Sequence, residues 1–416
     1  MAFGTALTGL NAASEALNVT GNNIANAGTS GFKKSRAEFG DIYSQAYGGI
    51  ANQAVGNGVQ LQDVAQQFGQ GTMNNTGNSL DLALSGNGFF VFSDNGSQVF
   101  SRAGALQVNQ NGYVVNSQGQ LLQVYSPITA TGSTPTFNQG SLSDLKLTTG
   151  LGAPQATTTV DAQLNLNAQA TNLGTGTITP TDTSSYTYST PVTVYDSLGA
   201  SHTATMYFRK ESTSTTSPQT TTWSTLMQVD GNTVTSTPST LTFDSSGNLT
   251  SPTNGQIAVG PYTPTNGAAP MNFTLDLTGT TMYGNTSTVN GLTQDGYTTG
   301  SLSGINVSST GVVSARYTNG QSQALGQVAL ANFTNPQGLQ PIGNTAWAQT
   351  FSSGTPAFGV AGSGTFGQIQ SGSLENSNVN LSNQLVDLIT EQRNYQANAK
   401  VITTANAITQ TIIQMT

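Results

Sequence analysis

The side chains able to do chemistry are few in this chain. It has one histidine, His202, and no cysteine. Thiol nucleophiles, disulfides and cysteine-dependent metal sites are therefore excluded. Any Ser–His–Asp triad has to use His202, yet no nucleophile-elbow motif surrounds a serine. His202 sits in a strand-turn-strand pattern, which predicts a turn-packing or surface role. Asp196 and Asp244 fall in Gly- and Ser-containing turns, where Asp accepts backbone hydrogen bonds. Gly86-x-Gly88 precedes a strand pattern rather than a helix, so it does not read as a dinucleotide loop, and no glycine-rich stretch ends in the Lys-Ser/Thr of a phosphate loop. Trp223 and Trp347 read as core or domain-contact residues. No enzyme, cofactor or metal site is predicted.

Composition explains what such a chain is built for. Of 416 residues only 7% are charged, against roughly 25% in ordinary soluble proteins. The net charge is −8, and the basic residues are scattered with no aromatic-basic patch, which argues against nucleic acid. Gly (48) and Pro (14) punctuate the chain without reaching the range of low-complexity disorder. No apolar run approaches the length of a membrane span, so membrane insertion is not expected. The start, Met-Ala-Phe-Gly-Thr, lacks the basic start and apolar core of a cleavable signal. The expectation is a cytoplasmic chain or one exported with its N-terminus intact.

The elements that organise the rest lie at the two ends. Leu374 to Thr416 contains no Gly and no Pro. Leu381, Leu385, Leu388, Tyr395, Ala399 and Ile402 recur at spacings of four and three, with Gln392 in the one polar slot. This heptad seam predicts a long amphipathic helix, with Ser377 and Asn378 as candidate caps. Beyond Ile402 the stripe continues through Val401, Ala405, Ile408, Ile412 and Met415, wider than one partner helix needs. The opposite face is polar and mostly uncharged (Asn383, Asn394, Asn398, Thr404), broken only by Asp387, Glu391, Arg393 and Lys400, which suits a helix surrounded by copies of itself; a helix docked on its own domain is the alternative. Residues 1–27 mirror this pattern: Phe3, Leu10, Leu17 and Ile24 repeat every seven, with Leu7 beside them. Isolated helices of this length are marginal, so the two are expected to pair and nest everything between.

Two motifs mark these ends. Asn22-Asn23-Ile24-Ala25-Asn26-Ala27-Gly28-Thr29-Ser30-Gly31-Phe32-Lys33 closes the first helix. Leu374-Glu375-x-Ser377-Asn378-Val379-x-Leu381 and Gln392-Arg393-x-Tyr395-Gln396-Ala397-Asn398-Ala399-Lys400 mark the second. Together they resemble the signatures of the bacterial flagellar rod and hook protein family. Asp81-Leu82-Ala83-Leu84-x-Gly86-x-Gly88-Phe89-Phe90 and Ser101-Arg102-Ala103-Gly104 resemble that family's first β-domain, with Leu106 where relatives carry an aromatic. Pro191 to Phe208 resembles a hook-protein segment that the shorter rod proteins lack.

Between the ends, the alternation of Leu80, Leu82 and Leu84, the Gly88–Phe92 run, the turns at Asp94-Asn95-Gly96 and Asn111-Gly112, and a run from Val99 to Val108 read as strands and hairpins. Residues 146–298 are Thr-rich and β-like. Residues 33–70 read as a linker: Phe39, Ile42, Tyr43 and Tyr47 suggest a short packed piece, and Gly48, Gly49, Gly56 and Gly58 a permissive one. It fits a compliant link or a surface loop equally.

The expected fold is multidomain α+β, discontinuous and nested. A coiled-coil stalk of paired terminal α-helices (1–32 with 370–416) is followed by the 33–70 segment, an inner all-β domain (71–145 with 299–369) and an outer all-β domain (146–298). The resemblance implies a structural, non-catalytic hook subunit that self-assembles into a hollow helical tube, with domains ordered from the axis outward. It implies as partners the distal rod protein, hook cap and hook-filament junction proteins, and type III export of the chain without a cleaved signal. A distal rod subunit is the alternative within the family, against which the 146–298 domain speaks. A secreted β-rich adhesin explains the Thr-rich middle but not both terminal motifs. A glycan-cleaving enzyme lacks a carboxylate pair.

Overall fold

The computed structural model describes residues 2–42, 56–128, 135–147, 150–234, 236–237 and 240–415. The chain forms two compact units. One comprises Met1–Thr149, Gly304–Arg316 and Ser322–Thr416, the other Gly150–Ser303 and Tyr317–Gln321.

The first unit holds both long helices, α1 (Ala2–Ala25) and α2 (Leu381–Met415). At 1.5 Å per residue they span about 36 and 52 Å. They pack antiparallel: Asn23 Nδ2 donates to Gln384 Oε1 at 2.8 Å, and a Cβ on Gly9 would lie 2.8 Å from Asn398 Oδ1. That register sets Ala2 level with Ala405, so α2 continues from Asn406 to Met415 beyond the described start of α1.

Ahead of the second helix, Ser373–Glu375 is a strand paired with Met73–Asn75, and the helix start differs from the sequence reading. The cap is neither Ser377 nor Asn378 but Asn380, whose Oδ1 accepts the Asn383 N–H at 3.1 Å. Ser377 and Asn378 are engaged upstream of the helix instead.

Among its described residues the 33–70 segment holds an antiparallel strand pair, β1 (Ser35–Asp41) with β2 (Val59–Gln66), where a loop was one of the two expectations. It lies against α1 at Gly58, where φ is +116° and a Cβ would collide with Thr8 Oγ1 at 2.1 Å. The expectations for Tyr43, Tyr47, Gly48 and Gly49 lie outside the described residues.

The β-part of the first unit interleaves the outgoing and returning halves of the chain. Strand Ser322–Asn332 pairs antiparallel with Leu121–Ile128 and Phe89–Asp94. Phe89–Asp94 in turn pairs with Ser97–Ser101, and that strand with Ala346–Ala348. Phe89, Phe90, Val91 and Phe92 are all buried, because this strand is covered on both faces. Phe90 and Phe92 join a core with Leu82, Leu84, Leu122, Val124 and Leu330. Phe89 and Val91 join another with Phe100, Tyr125, Phe333 and Trp347, as the two-residue period requires. The Val99–Val108 run is not one strand: it divides into Ser97–Ser101 and a short Gln107–Val108 piece, with Arg102 to Leu106 between them.

The second unit is a sandwich. Tyr188–Tyr195, Ser201–Thr213, Thr220–Val229, Thr240–Asp244 and Leu249–Ser251 form one antiparallel sheet. Gln256–Tyr262, Met271–Asp276, Thr159–Asn165 and Thr288–Gln294 lie in the other. Thr220–Val229 alternates strictly, burying Thr221, Trp223, Thr225, Met227 and Val229. Both sheets feed one core around Trp223, Phe208, Phe243, Phe273 and Leu275. Thr dominates the other positions because a β-branched polar residue suits a pleated face toward water.

Candidate assembly surface and its charged junction

The helix pair meets along a seam of small residues. Ala6, Ala13, Ala16, Thr20 and Asn23 are the buried positions of α1, and Gly9 faces Asn398. The large heptad residues Phe3, Leu10, Leu17 and Ile24 are not the buried ones: Phe3 and Leu7 are 49% and 44% exposed, and Leu10, Leu17 and Ile24 are half-buried. Small residues allow close helix approach, since interaxial distance follows the side chains at the contact.

On α2 the least exposed positions are Gln384, Leu388, Glu391, Asn398, Ala399, Ile402 and Ala405. The seam therefore keeps Leu388, Ala399, Ile402 and Ala405 from the expected stripe. Leu381, Leu385 and Tyr395 are 49%, 44% and 38% exposed, and Ile408 and Ile412 57% and 58%. Gln392 and Arg393 are exposed as well. Val386, Ile389 and Ile413, which the stripe did not include, are also exposed. No residue of α2 whose side chain is described is fully buried. A single chain thus leaves apolar side chains uncovered along most of both helices.

The motif residues at the helix bases hold this pair in place. Asn23 is buried; besides Gln384 it donates to Ser35 C=O at 2.8 Å, and its Oδ1 accepts the Ser35 N–H at 2.9 Å. Asn26 caps the end of α1: its Nδ2 donates to Asn22 C=O at 3.0 Å, and its Oδ1 accepts from Thr29 Oγ1 at 3.2 Å. Phe32 and Thr29 border a cleft with Pro341, Asn344 and Trp347. Gly31 adopts φ +72°, and a Cβ there would meet Ala103 N at 2.6 Å, so only glycine fits. Its N–H donates to Glu375 C=O at 2.8 Å. Asn378 Nδ2 donates to the carbonyls of Gln67 and Gly69, and its Oδ1 accepts the Lys34 N–H. Leu374 lies in the preceding strand, half-buried.

At the centre is a buried ionic triad. Lys33 Nζ lies 2.7 Å from Glu375 Oε1, with both side chains fully buried. It also donates to Gly69 C=O at 2.9 Å. Gly71 N–H donates to the same carboxylate oxygen at 2.8 Å. Arg102 Nη1 is 3.5 Å from Glu375 Oε2, Nη2 donates to Gly86 C=O at 2.8 Å, and the guanidinium lies over the Phe89 ring. Burial lowers the pKa of both Lys33 and Arg102, opposed by Glu375. One carboxylate therefore ties together the end of the first motif, the start of the second and the β-core. Lys33 was legible as a motif residue. Its partners Glu375 and Arg102 sat in quoted motifs, but nothing in the sequence paired them.

The candidate chemistry residues stand elsewhere. Trp223 and Trp347 are core residues. Asp196 and Asp244 accept backbone N–H groups of their own turns. His202 lies between Asp196 and Asp230 on opposite ring nitrogens. Among the described residues no cluster of His, Cys, Asp or Glu is arranged to hold a metal ion, and no helix is long and apolar enough to cross a membrane.

Comparison with known proteins matches this layout part by part. Residues 3–33 match the family described as flagella basal body rod protein, and 370–415 the flagellar basal body rod FlgEFG protein C-terminal family. Residues 83–176 match the flagellar hook protein FlgE/F/G D1 domain, and 161–297 the flagellar basal body protein FlaE D2 domain. The crystal structure of Helicobacter pylori flagellar hook protein FlgE2 shares the fold at TM-score 0.53 and 15% identity, covering 71% of this chain and 99% of that one. Flagellar hook protein FlgE of Treponema pallidum is 30% identical over 96% of both chains. That of Salmonella typhimurium is 39% identical over the full length of both. The hook protein FlgE of Escherichia coli K12 is 40% identical, again with both chains covered end to end. On full-length identity of this order, carried by both terminal motifs and the β-domains between them, the chain belongs to the flagellar hook protein FlgE family.

Proposed function

We propose that copies of this chain polymerise through α1 and α2 into a hollow, flexible helical tube that transmits torque from rod to filament and encloses an export channel. As a member of its family the chain is a structural subunit of the flagellar axial assembly and not an enzyme. The observation that carries the tube reading is the uncovered apolar surface of the helix pair: Phe3, Leu7, Leu385, Ile389, Ile408 and Ile412 are each more than 40% exposed in the single chain. Exposed apolar rows of this extent mark interaction surfaces. A row that contacts a different row on the next copy is heterologous, and such contacts build open helical filaments. The sparse charge limits repulsion between copies. Phe3, Leu7, Leu381, Leu385, Ile408 and Ile412 are the proposed intersubunit residues, with the junction residues Asn23, Gly31, Lys33 and Leu374 acting within one subunit. The proposed neighbours at the tube's ends are the distal rod protein and the cap and junction proteins, with export through the flagellar type III apparatus.

The test is electron microscopy of the purified full chain beside Ile408→Asp/Ile412→Asp. Both positions project from α2 without burial, so the variant keeps its monomer fold by circular dichroism. Tubes from the parent and none from the variant support the reading, and curved rather than straight tubes support hook over rod. Equal polymerisation of both, or none by either, overturns assembly through α2.

A further inference from the structure

The residue that the assembly reading leaves unused is the chain's single histidine. His202 is 10% exposed and Asp196 fully buried, while Asp230 is 39% exposed at its side chain. The imidazole Nδ1 lies 2.6 Å from Asp230 Oδ2, and Nε2 lies 3.2 Å from Asp196 Oδ2. Ionised carboxylates only accept hydrogen bonds. A neutral imidazole has a single N–H, so it satisfies one of these contacts and turns a lone pair toward the other. Only the imidazolium donates to both.

The three residues come from neighbouring strands and turns of one sheet of the sandwich, and the other sheet reaches the two aspartates through Asn266 and Tyr262. Asp196 is in the turn after Tyr188–Tyr195, and receives the N–H groups of Leu198 and Ala200 at 2.9 Å each. Asn266, in the loop beyond Gln256–Tyr262, donates to Asp196 Oδ2 at 2.5 Å. Asp230, in the turn after Thr220–Val229, receives the Thr203 N–H at 2.9 Å and the Tyr262 hydroxyl at 3.1 Å. Tyr262 belongs to the opposite sheet and meets the imidazole edge-on at 5.6 Å between ring centres. The charged and titratable groups facing the ring are thus Asp196, Asp230 and Tyr262.

We propose that His202 is a protonation-dependent clasp that ties the turn after Tyr188–Tyr195 to the turn after Thr220–Val229 at one end of this sandwich, closed while its ring is an imidazolium and loosened when the ring loses its proton. Burial works against the cation, but the hydrogen bonds to Asp230 and Asp196 outweigh it and raise the His202 pKa above 6.5. Burial likewise disfavours the Asp196 anion; hydrogen bonds from Asn266, His202 and the turn amides overcome this and lower its pKa to about 2. Asp230 is lowered from 3.8 in the same way. The signs define a window. The histidine contribution is complete below 6.5 and is lost as pH rises through the raised value. The carboxylate contributions are present above 3.8 and are lost as pH falls through the depressed values. The clasp is therefore tightest in mildly acid solution and opens on the alkaline side. This inference is independent of how the subunits assemble.

A single histidine makes the test direct. The full-length chain labelled at histidine Cε1 gives one imidazole resonance, whose titration midpoint is expected above the ordinary value. Asp230→Asn, which keeps the shape and removes the charge, is expected to lower that midpoint by about one unit. Hydrogen exchange at Leu198, Ala200 and Thr203 is expected to accelerate across the midpoint more than at amides of Thr220–Val229. A wild-type midpoint at or below the ordinary value, or exchange at the three amides that tracks those controls, overturns the clasp. The wild-type titration decides the question even if the variant does not fold.

Discussion

Lys33 Nζ and Glu375 Oε1 stand 2.7 Å apart with neither side chain open to solvent, although 342 residues of chain separate them. The pair joins the end of the first terminal motif to the start of the second, and Arg102 anchors it to the β-core.

Removing the shared carboxylate charge leaves two buried cations without an anion. Breaking one side of a buried ion pair costs about 3–5 kcal/mol. Glu375→Gln is expected to destabilise the first unit by that amount, read by urea unfolding of the full chain. Lys33→Met is expected to cost less, because Glu375 keeps the Gly71 N–H and Arg102 as partners. Equal stability of Glu375→Gln and parent would refute the triad's role.

The adjacent asparagines of the first motif make a matched control. Asn23→Ala strands both backbone groups of Ser35 and the Gln384 side chain, at about 1–3 kcal/mol. Asn22 is exposed, so Asn22→Ala is expected to lie within about 0.5 kcal/mol of the parent. Thermal unfolding of the two variants side by side measures the difference. Similar values for both would contradict the buried Asn23 network.

The helix register is testable at Gly9. Any side chain there enters the space of Asn398. Gly9→Leu overpacks the seam and is expected to cost about 1–3 kcal/mol. Adding Asn398→Ala to the same chain should recover part of the loss, read by hydrogen exchange of the helix amides. Additive losses would mean the two positions do not touch.

Each unit carries one tryptophan, Trp347 in the first and Trp223 in the second. Trp223 is fully buried, and truncating such a residue costs about 3–5 kcal/mol. Trp223→Ala is expected to unfold the second unit at lower denaturant while the Trp347 emission transition stays in place. A shift of the Trp347 transition by the same amount would show that the units unfold as one.

The sequence made the nested order, both terminal helices and most turns readable, because apolar periodicity and Gly/Asn turn chemistry are local. It misled where packing inverted the hydrophobic ranking. Heptad counting favours Phe3, Leu10, Leu17 and Ile24, but Ala6, Ala13 and Ala16 are the buried set, since close helix approach selects small side chains. Ser377 and Asn378 looked like caps, yet Asn378 is held by Lys34, Gln67 and Gly69, and the cap falls on Asn380. The β1–β2 strand pair was hidden by its weakly alternating, mostly polar sequence. The bracket of His202 by Asp230 depends on strand register between Ser201–Thr213 and Thr220–Val229, which no local pattern encodes.

The distance along the chain between Lys33 and Glu375 has a kinetic consequence. Closing a flexible loop of that length costs about 5 kcal/mol of chain entropy beyond the constant term, and contacts so remote in sequence form slowly. Prior folding of the intervening β-units shortens the effective loop and brings both ends near each other before they meet. Topology therefore favours the sheets forming ahead of the ionic junction and the helix pair. A monomer that folds in this order has a finished body while its ends are still unformed.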